Sequence, residues 1–154
     1  MRLRRRKGQK HCCKPKGKDI TGLEKILLIG NPNVGKSQLF NAITGAYTVV
    51  SNYPGTTVSL DTGKLRVGQK EYAVIDSPGM YSLKPITEEE RISKLLLFDS
   101  PRLVLHVVDA KNLERMLPLT LQLIESKLPV VLVVNMLDEA EERGITIDCE
   151  KLEE

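Results

Sequence analysis

One stretch of eight residues constrains the fold more than any other part of the chain. Residues 30–37 read GNPNVGKS, which matches the G-x-x-x-x-G-K-S pattern of a phosphate-binding loop. An apolar run typical of a buried strand, residues 24–29, comes just before it, and residues 37–43 after it have apolar side chains at helical spacing. Glycines let backbone N–H groups turn toward a phosphate, and the helix N-terminus adds its positive end. We therefore predict a strand, a phosphate loop and a helix in that order.

Two side chains of this loop favour nucleotide binding over a purely structural glycine turn. Lys36 can reach the β- and γ-phosphates, and the hydroxyl of Ser37 can bind Mg²⁺. A simple turn before a helix would need neither side chain. The nucleotide-contacting residues predicted here are Gly30, Asn31, Asn33, Val34, Gly35, Lys36, Ser37 and Gln38.

The rest of the chain alternates apolar runs with helical patterns. The pattern predicts four further strands at residues 58–67, 71–75, 103–108 and 129–134. It predicts helices starting near residue 87 and over residues 113–127, 138–143 and 148–154, and an exposed loop over residues 46–57. Pro118 is expected to interrupt the helix over residues 113–127 unless it lies in the first turn of that helix. The fold predicted is α/β, with five strands in a mainly parallel sheet, one antiparallel hairpin and helices on both faces.

A second motif indicates which base is bound. Asn135-Met136-Leu137-Asp138 follows the last predicted strand, where the carboxylate of Asp138 can accept hydrogen bonds from N1–H and the exocyclic amino group of guanine. Adenine offers no matching pair of donors, and sites built on hydrogen bonds reject such analogues strongly. Alone, N-x-x-D is usually a helix cap. About one hundred residues after a phosphate loop, it predicts guanine binding through Asn135, Met136 and Asp138.

A third motif, Asp76-Ser77-Pro78-Gly79, lies at the end of the predicted hairpin. Asp76 can hold Mg²⁺ through water, and the N–H of Gly79 can meet the γ-phosphate. A D-x-P-G turn is common in loops, and only its place between the other two motifs favours this role. A second metal-binding hydroxyl is expected from Thr57, with Thr56 as the alternative that spacing leaves open.

Together these motifs resemble those of a P-loop GTPase of the TRAFAC class. The sequences of five segments narrow the resemblance to one family within that class. From about residue 24 onward the chain is similar to the cytosolic G domain of the ferrous-iron transport protein B family. The segments are GNPNVGKSQLFNAITG, NYPGTTVS, DSPGMYSL, VVDAKNLERMLPLTLQLIE and VVNMLDEAEERGITID. Met136, where most ribosome-assembly and signalling GTPases have Lys, and the switch loop Asn52 to Thr57 separate it from those classes.

The resemblance implies roles for individual residues. It selects Thr57 as the switch threonine, assigns K⁺ beside the phosphates to Asn33, and makes Lys36, Thr57 and Gly79 the catalytic set. It also implies a G domain over residues 23–154 that stops before the final strand and the guanine-closing loop. In the family a helical domain and a polytopic membrane domain follow the G domain. Met80 stands where signalling GTPases place a water-orienting Gln, which indicates slow, K⁺-stimulated hydrolysis or simply a Met packed under the loop.

For three other features we favour a structural interpretation over a functional one. His106 is expected to be a strand residue with one local hydrogen bond, and His11-Cys12-Cys13 lacks the four ligands and spacing of a tetrahedral metal site. The triple glutamate at residues 88–90 is expected to be a solvated helix start.

Charge and composition limit the partners. Residues 1–20 hold nine basic residues and one acidic residue, so residues 1–22 are expected to form a disordered basic arm that binds an anionic membrane surface or only solubilises the chain. Aromatic content of 4% without Trp argues against a base-stacking platform, and no specific nucleic acid is expected. Three irregularly spaced cysteines indicate a reducing cytoplasm, and the apolar run at residues 129–137 is too short for a membrane span.

These expectations favour a GTPase that uses GTP/GDP, Mg²⁺ and K⁺ and regulates ferrous iron uptake at the cytoplasmic face of a bacterial inner membrane. Its partner would be the rest of a polytopic iron-transport protein, while this chain alone would be soluble and cytoplasmic. The alternatives are a soluble GTPase bound to RNA or the ribosome, favoured by the basic arm, and a non-hydrolysing interaction module. Intact Lys36, Ser37, Asp76 and Asp138 argue against the module.

Overall fold

A six-stranded sheet organises the protein, in a computed structural model that describes residues 22–45 and 48–153. The strands lie in the order β2-β3-β4-β1-β5-β6. Their bounds are β1 Glu24–Ile29, β2 Thr48–Asn52, β3 Ser59–Val67, β4 Lys70–Asp76, β5 Leu103–Asp109 and β6 Val130–Asn135. Strand β1 pairs in parallel with β4 and β5, and β5 pairs in parallel with β6. The prediction of a mainly parallel α/β sheet is confirmed.

Helices connect the parallel strands, as the alternating pattern predicts. They are α1 Lys36–Thr44, α2 Glu88–Leu97, α3 Leu113–Glu125, α4 Leu137–Glu142 and α5 Cys149–Glu153. A 3-10 turn at Ala110–Asn112 leads from β5 into α3. Among the residues described, no helix has the length and apolar character needed to cross a bilayer.

The predicted hairpin is present, and the structure adds a third antiparallel strand to it. Strands β3 and β4 pair around Gly68, whose φ is 61°, and β2 pairs with β3 at the outer edge. The prediction of an exposed loop over residues 46–57, and with it the count of five strands, was wrong for residues 48–52. Every residue of β2 is exposed, so neither face of the strand has the apolar periodicity that reveals a half-buried strand in a sequence.

The core lies in two layers on opposite faces of the sheet. On one face α2 and α3 pack on β1 and β5 through Ile92, Leu97, Leu119 and Leu123. On the other face Phe40 of α1 packs against Ile26, Leu28 and Val74. These layers fix the loops at the carboxyl ends of the parallel strands, where ligands bind in such sheets.

Pro118 lies in the second turn of α3, and the helix continues through it. The expected interruption does not occur. Pro118 removes one hydrogen bond to the preceding turn. Four buried residues hold the helix against the sheet around it: Met116, Leu119, Thr120 and Leu123.

Candidate functional site

The phosphate loop is packed so tightly that two of its positions require glycine. A Cβ on Gly30 would lie 2.2 Å from the carbonyl oxygen of Val107 on β5, and one on Gly35 would lie 2.3 Å from Nδ2 of Asn135. Gly35 also has φ 87°, in the left-handed region that favours glycine. Between them Asn33 has φ 64° and is exposed, while Val34 is buried. The loop therefore lies directly on the ends of β5 and β6.

Lys36 is held in the loop with its ammonium group largely withdrawn from water. The residue is 8% exposed, and its Nζ donates a 3.1 Å hydrogen bond to the carbonyl oxygen of Asn31. Burial lowers the pKa of Lys36, and the nearby carboxylate of Asp76 partly opposes that shift. An ammonium group has three N–H donors, so Lys36 can also bind anionic oxygens within the loop.

Ser37 and Asp76 join the first turn of α1 to the end of β4. The Ser37 hydroxyl donates a 2.6 Å hydrogen bond to Oδ2 of Asp76. Oδ1 of the same carboxylate is buried and has no hydrogen-bond partner among the residues described. Burial raises the pKa of Asp76, the hydrogen bond from Ser37 and the charge of Lys36 lower it, and the charge of Asp61 raises it. A buried carboxylate with one free oxygen is suited to a cation.

The oxygen donors around this carboxylate fit Mg²⁺. Asp76 and Thr57 line a cleft of about 380 Å³, together with Asp61 and the 76–78 segment. Mg²⁺ prefers oxygen ligands and is commonly held by one or two carboxylates together with water and phosphate oxygens. Hydroxyl and carboxylate oxygens from Ser37, Thr57 and Asp76 match that preference.

The structure separates the two threonines that sequence spacing left open. Thr56 is committed to the turn, because its Oγ1 donates to the carbonyl oxygen of Tyr53 and accepts from the N–H of Val58. Thr57 is exposed and lines the cleft that contains Asp76. This placement favours Thr57 over Thr56 as a metal-binding hydroxyl.

The segment after β4 is docked against the phosphate loop. A Cβ on Gly79 would lie 2.7 Å from Cγ of Pro32, and the Met80 N–H donates to the carbonyl oxygen of Gly30 at 3.1 Å. The side chain of Met80 is fully buried in the core under α2. The side chain of Met80 therefore packs beneath the loop and not on its surface.

The predicted guanine motif begins at the carboxyl end of β6 and is tied to the phosphate loop. Nδ2 of Asn135 donates a 3.0 Å hydrogen bond to the carbonyl oxygen of Val34. Met136 has φ 60°, and it lines a cleft of about 330 Å³ with Asn33, Lys36 and neighbouring loop residues including Gln38. Asp138 is exposed on the first turn of α4. Asn135 thus connects the two motifs, and the exposed carboxylate of Asp138 is chemically able to accept hydrogen bonds from a base.

A charged cluster that the sequence reasoning missed lies beside this motif. Lys111, in the 3-10 turn after β5, donates to the carboxylate of Glu139 and lies 3.9 Å from Oδ2 of Asp109. The available signal was Asp109 itself, which ends β5 as Asp76 ends β4. It gave no warning of the ion pair, because Lys111 and Glu139 are 28 residues apart.

The triple glutamate is not uniformly solvated, which corrects the expectation for Glu90. Glu88 and Glu89 are exposed, but Glu90 is 7% exposed and accepts hydrogen bonds from the N–H groups of Tyr81, Ile86 and Thr87. These bonds, led by the one from Ile86, lower the pKa of Glu90. With Thr87 it forms a capping box, a pattern that the sequence T-E-E-E contains.

His106 is a buried strand residue with one local hydrogen bond, as expected. Its Nδ1 lies 3.0 Å from the hydroxyl of Thr120 on α3. Burial lowers the pKa of His106 to about 4. Two other predictions concern residues that the structure does not describe. The basic arm at residues 1–22 lies outside the described residues except for Gly22, and the His11-Cys12-Cys13 cluster lies wholly outside them.

Comparison with known families and sequences gives a consistent result. The family model described as "Ferrous iron transport protein B" matches residues 24–154. The Fe(2+) transport protein A/Fe(2+) transporter FeoB fusion protein of Porphyromonas gingivalis is 48% identical over 137 residues, which cover 88% of this chain and 16% of that protein. The Fe(2+) transporter FeoB of Staphylococcus aureus is 45% identical over 133 residues, 84% of this chain and 19% of that protein. The chain thus spans less than one fifth of these relatives' length.

Solved structures give the same grouping. The cytosolic domain of L. pneumophila FeoB has a TM-score of 0.79 at 47% identity, over 84% of this chain and 57% of that chain. The G domain of the T. maritima FeoB iron transporter has a TM-score of 0.76 at 39% identity, over 84% of this chain and 79% of that chain. A variant of S. thermophilus NFeoB bound to GDP has a TM-score of 0.77 at 43% identity, over 84% of this chain and 51% of that chain.

Proposed function

This chain belongs to the ferrous iron transport protein B family, and from that membership and the geometry of its site we propose that it binds GTP and GDP and hydrolyses GTP. The observation that carries the proposal is the joining of three motifs at one edge of the sheet. Ser37 is bonded to Asp76, Met80 to Gly30 and Asn135 to Val34. The residues proposed for phosphate, metal and base are therefore joined by direct hydrogen bonds.

Each motif has a defined task in this proposal. Lys36 neutralises the β- and γ-phosphates from within the loop, whose backbone N–H groups surround them. The N–H of Gly79 meets the γ-phosphate, and Thr57 closes over it from the loop before β3. Ser37, Thr57 and, through water, Asp76 would hold Mg²⁺, which would supply positive charge to the phosphates. Asn135 fixes the phosphate loop, while Met136 and Asp138 take the guanine nucleoside.

Hydrolysis is proposed to be slow and stimulated by K⁺. Met80 is buried and offers no hydrogen-bonding group to an attacking water. Asn33 is exposed in the phosphate loop with positive φ and lines the same cleft as Lys36. A monovalent cation held there by its side-chain oxygen would supply positive charge beside the phosphates.

The wider role proposed is regulation of ferrous iron uptake at the cytoplasmic face of a bacterial inner membrane. GTP would order the loops that carry Thr57 and Gly79, and hydrolysis would let these loops become disordered again. The rest of a polytopic transport protein would respond to this change. The family match at residues 24–154 favours this role over that of an RNA- or ribosome-associated GTPase. The basic arm at residues 1–22 is proposed to contact anionic lipid.

Titration of the chain with GTP, GDP, ATP and ADP in Mg²⁺ tests nucleotide binding, and phosphate release from GTP tests hydrolysis. We expect binding of both guanine nucleotides, much weaker binding of adenine nucleotides, and loss of GTP binding in Lys36→Ala. Lys64→Ala, on β3 away from the site, is the matched control. Equal affinity for ATP and GTP would reject the proposed base assignment.

A further inference from the structure

The ion pair between Lys111 and Glu139 links the end of β5 to the helix that carries Asp138. The Lys111 side chain is 12% exposed, although it is a lysine beside a loop. Its Nζ donates to the carboxylate of Glu139 and lies 3.9 Å from Oδ2 of Asp109. A lysine buried to this degree between two carboxylates is held in one place rather than free in solvent.

The Lys111 end of this link is itself held in place by hydrogen bonds to Asp109. Oδ1 of Asp109 accepts from the Lys111 N–H at 2.9 Å, and Oδ2 accepts from Nδ2 of Asn112 at 3.0 Å. Asp109 is 8% exposed and ends a strand paired with both β1 and β6. The turn that presents Lys111 is therefore anchored to the centre of the sheet.

The other end of the link is the first turn of a short helix with few anchors. Helix α4 has six residues, its N-cap residue is Met136, and it has no side-chain capping hydrogen bond. Glu139 directly follows Asp138, and the next residue, Ala140, is the buried contact of the helix. A short uncapped helix is not stable by itself, so tertiary contacts must set its orientation.

We propose that Lys111, acting through Glu139, is a positioning residue that sets selectivity for guanine. The link fixes the first turn of α4 and with it the direction of the Asp138 carboxylate. This inference rests on the proposed guanine nucleotide binding, and it adds a determinant that lies outside the three motifs.

Inosine nucleotides provide a probe of carboxylate position. Hypoxanthine retains N1–H but lacks the exocyclic amino group, so a well-placed carboxylate makes two hydrogen bonds to guanine and one to hypoxanthine. The ratio of the IDP to the GDP dissociation constant therefore reports how well Asp138 is aligned. Contacts to ribose and phosphate are common to both nucleotides and cancel in this ratio.

The test measures GDP and IDP binding by calorimetry for the full chain and for Lys111→Met, Glu139→Gln and the double variant. We expect the IDP to GDP ratio to fall roughly threefold or more in each single variant, through weaker GDP binding. The double variant should lose no more than Lys111→Met, because both substitutions act on the same link and Gln keeps one acceptor oxygen in place of Glu139's two. Lys64→Met is the matched control, since Lys64 pairs with Glu71 at 3.7 Å on the hairpin.

The outcomes separate this inference from the function on which it rests. An unchanged ratio, or equal weakening of GDP and IDP, would overturn the positioning role while leaving guanine binding intact. A parent chain that does not prefer GDP to ADP would overturn the proposed function and this inference with it. Glu139→Gln, which alters a half-exposed side chain, decides the matter if Lys111→Met does not fold.

Discussion

The hydroxyl of Ser37 donates a 2.6 Å hydrogen bond to Oδ2 of Asp76, across 39 residues of sequence. The bond joins the phosphate loop to the end of β4 and leaves Oδ1 of the carboxylate buried without a partner in the described structure. A buried carboxylate in this state costs stability unless a cation or a proton satisfies it. Under the proposed function, this pair is the point at which nucleotide binding and Mg²⁺ binding would be coupled.

Replacing Asp76 by Asn should remove most of the Mg²⁺ dependence of GTP binding. In the parent chain we expect GTP to bind more tightly with Mg²⁺ than with a chelator, and in Asp76→Asn we expect that gain to shrink roughly tenfold or more. Titration of GTP in Mg²⁺ and in EDTA measures the gain, and Asp99→Asn is the control on the opposite end of the sheet. A variant with the parent's full Mg²⁺ response would exclude Asp76 from the metal site.

Asp138→Asn should weaken GTP and GDP binding and improve binding of xanthine nucleotides. The Asn amide can donate to the xanthine carbonyl that replaces the amino group of guanine, whereas a carboxylate can only accept. Glu142→Gln, on the last turn of the same helix, is the matched control. Calorimetric titration with GDP and XDP measures the change, and an unaltered guanine preference would remove Asp138 from the site.

The parallel part of the fold could be predicted because its signals are local. Buried strands such as β1 and β5 are short apolar runs, and the glycine spacing from Gly30 to Gly35 determines the loop between β1 and α1. Strand β2 was missed because it is exposed on both faces, so it lacks the apolar period of a half-buried strand.

Contacts between distant residues explain the rest of what sequence reasoning missed. The motifs predicted which residues gather at the carboxyl edge of the sheet, since parallel strands present their ends together. Glu90 was misjudged because its burial depends on how the loop from Tyr81 to Thr87 folds back over it. The pairing of Lys111 with Glu139 depends in the same way on the β5–β6 register.

Hydrolysis of GTP should be faster in K⁺ than in Na⁺, and Asn33→Ala should abolish the difference. The reason is that Met80 cannot orient water, so an added cation beside the phosphates would have a large effect. Steady-state phosphate release in the two salts at equal ionic strength is the measurement, with Lys64→Ala, on β3 away from the site, as the control that should keep the difference. Equal rates in both salts would refute the role of K⁺ in this chain.

Acidification should destabilise the fold through His106. Its pKa is about 4 in the folded protein against an ordinary value of 6.5, so between these values the unfolded chain binds one more proton. The contribution to stability is complete above pH 6.5 and is lost as the pH falls toward 4, a loss of about 3 kcal/mol over the whole window. Urea denaturation of the parent chain and of His106→Gln at pH 7 and pH 4.5 measures it. If both chains lose the same stability between these pH values, His106 is not the titrating group.

Glu90→Gln should loosen the loop that follows Gly79 and lower the stability of the fold. The Glu90 carboxylate accepts from three backbone N–H groups, at 3.4 Å from Tyr81, 2.7 Å from Ile86 and 3.4 Å from Thr87. Glu90→Gln replaces one acceptor oxygen by a donor, so at least one of these N–H groups loses its partner at a cost of about 1–3 kcal/mol. Glu88→Gln is the matched control, because Glu88 is exposed in the same turn and should change stability little. Urea denaturation gives the two free energies of unfolding.

Amide hydrogen exchange should also show faster exchange at Ile86 in Glu90→Gln but not in Glu88→Gln. If the two variants are equally stable and exchange alike, the carboxylate does not hold the loop.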